Sequence, residues 1–249
     1  MSRITSNQPP GTPTWIELRV PELQRATEFY GELFGWTYAQ AGPLIVCLLD
    51  GLPVAGLTAD ADADAREWTV YFATDDCDDA ARQIADAGGS VLTEPTDLLD
   101  LSRTALVRDT VGAEFGLWQG RAHPGCQVVN EPNSLVRNDL VTSNPEPARN
   151  FYATVFGYTL DRNPDLPEFD FTFLRLPDGH EVAGIFGAST ATSSAWATTF
   201  EVADTDETVS RAAAAGGKAS DPDDMLYGRI ATVTDPFGTE FSVIARPPG

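Results

Sequence analysis

The sequence predicts an α+β protein built from four βαβββ units arranged as two tandem domains, and two observations carry that prediction. The first is an internal repeat. Trp15 to Trp36 recurs in degenerate form as Arg137 to Tyr158, so that Glu17 falls on Asp139, Leu18 on Leu140, Phe29 and Tyr30 on Phe151 and Tyr152, and Phe34 and Gly35 on Phe156 and Gly157. Asp50, Gly51, Val54, Ala55 and Gly56 then recur as Asp178, Gly179, Val182, Ala183 and Gly184, displaced by about 128 positions, a period near half the chain. The second observation is that segments of strand and helix periodicity follow one another in the same order within each half.

Thr14 to Val20 alternates, with Ile16, Leu18 and Val20 on one face and Trp15, Glu17 and Arg19 on the other, the pattern of a half-buried strand. From Pro21 the apolar residues Leu23, Ala26, Phe29, Tyr30 and Leu33 recur at helical spacing until Gly35, which suits a helix C-terminus. Short strands follow near 36–40, 44–49 and 53–57, the last two joined by the tight Asp50-Gly51 turn of a hairpin. Ala59 to Arg66 is small, acidic and aperiodic, and reads as a loop. The pattern then repeats within the first half: a strand over 68–74, a helix over 77–87 ended by Gly88-Gly89, and strands near 91–93, 104–108 and 113–118. The domains are expected at 11–119 and 134–246. Between them, 120–133 carries Gly, Pro and Asn without periodicity and reads as a linker.

Composition narrows the partners. The chain has 249 residues and a formal net charge of −21, which repels nucleic-acid phosphates and anionic lipid surfaces, so neither is expected as a partner. Cys47, Cys77 and Cys126 form no CxxC pair, which argues against a disulfide framework or a thiolate metal site and fits a reducing cytoplasm. The N-terminal residues lack a signal-peptide apolar core, and no run of about 18 apolar residues exists to span a bilayer.

The paired βαβββ units, the FYxxxFGW helix end, the Asp-Gly hairpins and the closing DPxGxxF strand together resemble the vicinal oxygen chelate superfamily of glyoxalases, extradiol dioxygenases and antibiotic-resistance proteins. The resemblance runs from Gly11 to Ile244 and is greatest to two-domain actinobacterial members through GTPTWIEL, FYGELFGW, VGAEFGLWQ and VVNEPNSL. It implies cup-shaped mixed sheets, and in metal-using members it implies His and Glu ligands at four inward positions of each cup. By motif those positions fall on Trp15, Ala55, Thr69 and Gly116 in the first domain and on Arg137, Ala183, Ala197 and Ser242 in the second. None is an imidazole or carboxylate, so the resemblance carries over no metal or other cofactor. The histidines, His123 in the linker and His180 after the Asp178-Gly179 turn, read as exposed loop residues.

Strand alternation within the implied cups places Glu17 beside Trp15, and Glu114 and Trp118 beside Gly116, with Thr69 and Tyr71 nearby. Glu17 and Glu114 are therefore the candidate catalytic acid and base. Trp15, Thr69, Tyr71, Gly116, Trp118, Arg137, Asp139 and Glu240 are the candidate ligand-binding residues, with the aromatic-rich first cup, or the groove between domains, as the expected site. The structural alternative is that these carboxylates only pair with arginines such as Arg19, Arg103 or Arg229. Three functions stay open: a metal-independent small-molecule binder of the antibiotic-sequestering kind, a metal-independent lyase, isomerase or cyclase of secondary metabolism working through carboxylates, and an interaction module. A metal-dependent glyoxalase or dioxygenase is disfavoured. The duplicated domains are expected to form an intramolecular pseudo-dimer, with a homodimer left open.

Overall fold

The computed structural model describes residues 3–61, 67–162 and 169–247. Part of the acidic loop expected over 59–66 and the last two residues of the chain lie outside the described residues. The first domain contains β1 (Pro13–Val20), α1 (Leu23–Phe34), β2 (Thr37–Ala41), β3 (Leu44–Leu49), β4 (Leu52–Ala59), β5 (Thr69–Ala73), α2 (Cys77–Asp86), β6 (Ser90–Leu98), β7 (Ser102–Arg108) and β8 (Glu114–Gly120). The second contains β9 (Leu135–Thr142), α3 (Pro145–Phe156), β10 (Thr159–Arg162), β11 (Phe171–Arg175), β12 (Glu181–Gly187), β13 (Ala195–Glu201), α4 (Thr205–Ala214), β14 (Lys218–Ala219), β15 (Asp223–Met225), β16 (Gly228–Thr234) and β17 (Glu240–Ala245).

Each domain is one curled mixed sheet. The strand orders are β2-β3-β4-β1-β5-β8-β7-β6 and β10-β11-β12-β9-β13-β17-β16-β14, with β15 added on β16. The two orders superpose strand for strand, which is the duplication read from the sequence. Helices α1 and α3 end where Gly35 and Gly157 enter the left-handed region at φ 70° and 69°, a conformation glycine adopts without strain. Helices α2 and α4 begin at Asp76 and Asp204, whose side chains each accept from the backbone N–H three residues on, at 2.9 Å.

The helices line one face of the sheets, and their apolar sides merge with the sheet faces of both domains into a continuous core. Phe34 meets Phe200 at 4.9 Å between centroids, and Phe72 meets Trp196 at 5.0 Å. The tyrosine of the repeated Phe-Tyr pair adds a reciprocal lock. Tyr30 Oη donates to Asp235 at 3.1 Å and Tyr152 Oη donates to Asp109 at 3.0 Å. Each aspartate uses its other oxygen to accept two backbone N–H groups of its own turn, at 2.8 Å. The conserved spacing between the halves thus has a packing cause, since each domain's helix tyrosine holds the closing turn of the other.

Replacing Tyr152 by Phe is expected to cost about 1–3 kcal/mol, because it leaves the buried Asp109 oxygen and the Trp196 indole N–H, which donates to the same hydroxyl, without partners. An unchanged urea midpoint in Tyr152→Phe would remove the lock.

Candidate functional site

The opposite face of each sheet is concave, and the two cups are filled differently. In the first, Trp15, Leu44, Val46, Tyr71, Trp118 and Cys126 form a separate buried cluster. Trp15 lies 5.4 Å from Trp118, and Tyr71 meets Trp118 edge-on at 5.8 Å. The Tyr71 ring lies so close over Gly116 that a Cβ there would fall 2.0 Å from Tyr71 Cδ1, so glycine is required by the ring above it. The residues expected to line a pocket therefore fill it with one another, because three large rings on adjacent strands occupy the volume a ligand would need.

The linker completes the filling. Trp118 donates its indole N–H to the His123 carbonyl at 3.0 Å, Cys126 N–H donates to Thr14 O at 2.7 Å, and Gln127 N–H donates to Pro53 O at 2.7 Å. His123 packs edge-on against Trp15 at 4.7 Å and is only 7% exposed, which corrects the expectation of a solvent-exposed loop histidine. Its Nδ1 accepts the Gly125 N–H at 3.0 Å, and burial pushes its pKa down to about 4.

Of the first cup's carboxylates, Glu17 is half-buried and accepts from Thr58 Oγ1 at 3.2 Å. Burial pushes its carboxyl upward against the pull of Thr58, Trp15 and Arg19. The Trp15 indole N–H approaches it without reaching hydrogen-bond geometry. Glu114 is exposed at the start of β8 and paired with Arg108 at 2.6 Å. It shares a strand face with Gly116 and Trp118 but lies beyond the filled interior, so the two glutamates do not share an enclosed cleft. Thr69 is half-buried at the start of β5, opposite Glu17 across the β1–β5 pair.

The second cup carries different residues at the same places. Register equates Gly56 opposite Val46 with Gly184 opposite Phe173, and Tyr71 beside Gly116 with Thr199 beside Ser242. Trp15 becomes Arg137. Without the tryptophan and the tyrosine the cup is open among the described residues: Ala197 on β13 is exposed, and Thr199 and Ser242 are half-exposed. Arg137 Nε donates to both Asp139 oxygens at 2.9 and 2.7 Å, and its Nη1 donates to Glu181 at 2.8 Å. The guanidinium lies over the Phe171 and Phe173 rings at 5.3 and 5.8 Å, while Nη2 is buried without a partner. Burial opposes the charge on Arg137, but Asp139 and Glu181 outweigh it and hold the guanidinium above its ordinary value. Burial pushes the Asp139 carboxyl up despite Arg137. Glu240 is exposed on the wall of a cleft of about 410 Å³ that Ala195, Ala197 and Val141 share with Glu67 and Trp68 of the first domain.

β4 and β12 each carry one extra residue, Val54 and Val182, at a bulge in the pairing with the preceding strand, and beyond it Ala55 and Ala183 belong to the helix-side core while Gly56 and Gly184 are the inward residues. The residues at the ligand-equivalent positions, Trp15, Gly56, Thr69 and Gly116 in the first cup and Arg137, Gly184, Ala197 and Ser242 in the second, do not fit a divalent metal, and the described residues contain no group of three or more His, Cys, Asp or Glu able to hold one. Phe171, Phe173 and Glu181 contact Arg137 in this candidate site and were missed by the sequence reading, although the alternation of Phe169, Phe171 and Phe173 was a visible signal.

This fold and its repeat define the family. The chain belongs to the Glyoxalase/Bleomycin resistance protein/Dioxygenase superfamily, whose model matches residues 12–117 and 133–243. It is 34% identical over 252 residues to "Putative glyoxylase CFP32" of Mycobacterium tuberculosis, covering 96% of each chain. It is also 34% identical over 258 residues to "Anthracycline biosynthesis protein DnrV" of Streptomyces peucetius, covering 94% of this chain and 93% of the relative. Among solved structures it resembles the Mn(II)-bound glyoxalase of Novosphingobium aromaticivorans, with a TM-score of 0.67 at 15% identity over 95% of this chain and 83% of that one. A homoprotocatechuate 2,3-dioxygenase variant from B. fuscum gives a TM-score of 0.68 at 12% identity, over 100% of this chain and 74% of that one. At these identities the two structures share the fold. No helix among the described residues is long and apolar enough to cross a membrane.

Proposed function

We propose that the chain binds a small aromatic molecule of secondary metabolism in its second cup, without a metal. The observation that carries this reading is the exchange of Trp15 and Tyr71 for Arg137 and Thr199, which leaves one of two otherwise matching cups open and polar at its base. Phe171 and Phe173 offer an apolar platform, and the unpartnered Arg137 Nη2 offers a donor for a ligand oxygen. The relatedness to a protein named for anthracycline biosynthesis supports a polycyclic aromatic ligand. One observation favours the second reading, an acid/base enzyme: the Asp139 carboxyl, raised by burial, lies at the same base as Arg137 and is suited to hold or accept a proton. Glu17 and Glu114 are no longer the residues of choice for that chemistry.

The test transfers the first cup's filling into the second. Thr199→Tyr with Ser242→Gly rebuilds the ring-over-glycine arrangement, and titration with an anthracycline, followed by its own ring emission, is expected to lose at least tenfold in affinity while the thermal midpoint is kept. Equal binding by the filled variant would sink the second cup as the site. Loss of wild-type binding on chelation, restored by one divalent ion per chain, would overturn the metal-free part.

A further inference from the structure

The rims of the two cups show what closes over them. In the first domain the tip of the β6–β7 hairpin reaches the β2–β3 turn: Leu98 packs on the cluster that fills the cup, and Leu99 stands over Gly42, where a Cβ would lie 3.1 Å from Leu99 Cδ1. Rim meets rim above a filled interior. The equivalent hairpin of the second domain is fixed by its arginine. Arg103 pairs with Asp78 on the helix and Asp97 on the facing strand, and Arg229 pairs with Asp206 and Asp224 in the same two places. Because Asp97 opposes Arg103 and Asp224 opposes Arg229, Leu98 and Leu99 correspond to Met225 and Leu226.

Those residues are more exposed than their first-domain counterparts, of which Leu98 is half-buried and Leu99 54% exposed. Met225 is 46% exposed, Leu226 99% and Tyr227 57%, three successive apolar or aromatic side chains at one hairpin tip. On the opposite rim Phe169 is 47% exposed and stacks on Phe171 and Phe186 at 5.9 and 5.0 Å, continuing the platform inside the cup. The base of that rim is fixed, since Asp170 accepts from the buried Arg149, whose Nε also donates to Thr172 at 2.8 Å.

We propose that Phe169 and the Met225–Tyr227 tip are ligand contacts that clasp a flat polycyclic aromatic molecule spanning from Arg137 at the base to the rim. The inference rests on the second cup being the binding site and specifies what that site selects: length and flatness at the mouth, and a hydrogen-bond acceptor at the inner end. In the first domain the protein's own rings supply the surface on which the rims close. In the second, the ligand supplies it. Exposed apolar groups on both rims of an open cup are the counterpart of a surface that is absent until the molecule binds.

The experiment compares two probes on four proteins. On this proposal an anthracycline, with its row of fused rings, touches both Arg137 and the rim, and salicylate, with one ring and a carboxylate, touches only the base. Met225→Ser with Leu226→Ser changes one side chain that is about half in water and one that is almost wholly so, and is expected to keep the thermal midpoint. It should weaken the anthracycline at least tenfold and leave salicylate within about twofold of wild type. Leu92→Ser, an exposed apolar residue of the first domain, should change neither. If the rim variant keeps wild-type affinity for the anthracycline while the Thr199→Tyr, Ser242→Gly variant loses it, the clasp is wrong and the cup reading stands. If both variants bind as wild type does, or wild type binds neither probe, both are overturned.

Discussion

Arg137→Met is expected to destabilise the protein by about 2–3 kcal/mol and to abolish ligand binding, whereas Arg137→Met combined with Asp139→Asn recovers most of the stability and none of the binding. The reason is the uneven cost of breaking a partly buried ion pair. Methionine keeps much of the side-chain volume over Phe171 and Phe173, so the packing loss is small. What remains is a pair of carboxylates, Asp139 and Glu181, whose side chains are 21% and 29% exposed and which have lost the cation lying between them. Removing one partner of a fully buried pair costs about 3–5 kcal/mol, and the residual exposure reduces that here. Neutralising Asp139 removes the uncompensated charge. Urea unfolding of the four proteins of the cycle gives the coupling directly, and a double variant as unstable as the single one would show that Arg137 acts through packing and not through charge. Binding separates the roles, since of the two residues Arg137 carries the buried donor without a partner, Nη2, that the proposed ligand would engage.

The fold was legible because its signals are local and occur twice. Gly35 and Gly157 end equivalent helices, Asp109 and Asp235 close equivalent turns, and strand alternation correctly set Trp15 and Glu17 on the face opposite Ile16 and Leu18. The filling of the cups was not legible, because it depends on side-chain volumes summed over strands distant in sequence. Tyr71 and Gly116 lie far apart in the chain, yet the ring of one occupies the space above the other. A glycine in a strand beside an aromatic, against a serine beside a threonine in the other half, is the trace that this contrast leaves in the sequence. The same reasoning explains Ala55: a bulge adds one residue to a strand and turns its face, and nothing in the local alternation marks it. The linker deceived for a third reason. Its polar, aperiodic residues describe a segment without regular structure, which is correct for its backbone but silent on whether it lies over an apolar cup.

That linker gives the protein an acid limit. His123 is neutral where it packs against Trp15 and Trp118, and its pKa falls from an ordinary value of about 6.5 to about 4 because burial penalises the imidazolium. Between those values the unfolded chain binds the proton and the folded chain does not, so the stability this group protects is complete above about pH 6.5 and is lost progressively as pH falls toward 4. The full swing corresponds to about 3 kcal/mol. Buried carboxyls whose values are raised, such as Glu17 and Asp139, act in the opposite sense by gaining protons in the folded state as pH falls, so the histidine contribution has to be read as a difference. His123→Gln keeps an acceptor for the Gly125 N–H and cannot titrate. The gap in unfolding free energy between wild type and His123→Gln is therefore expected to shift in favour of the variant by about 3 kcal/mol between pH 7 and pH 4. Tryptophan emission should report the same transition, since Trp15 and Trp118 enclose the ring. Parallel stability profiles for the two proteins across that range would mean that His123 is not held neutral, and that the linker does not seal the first cup as its contacts indicate.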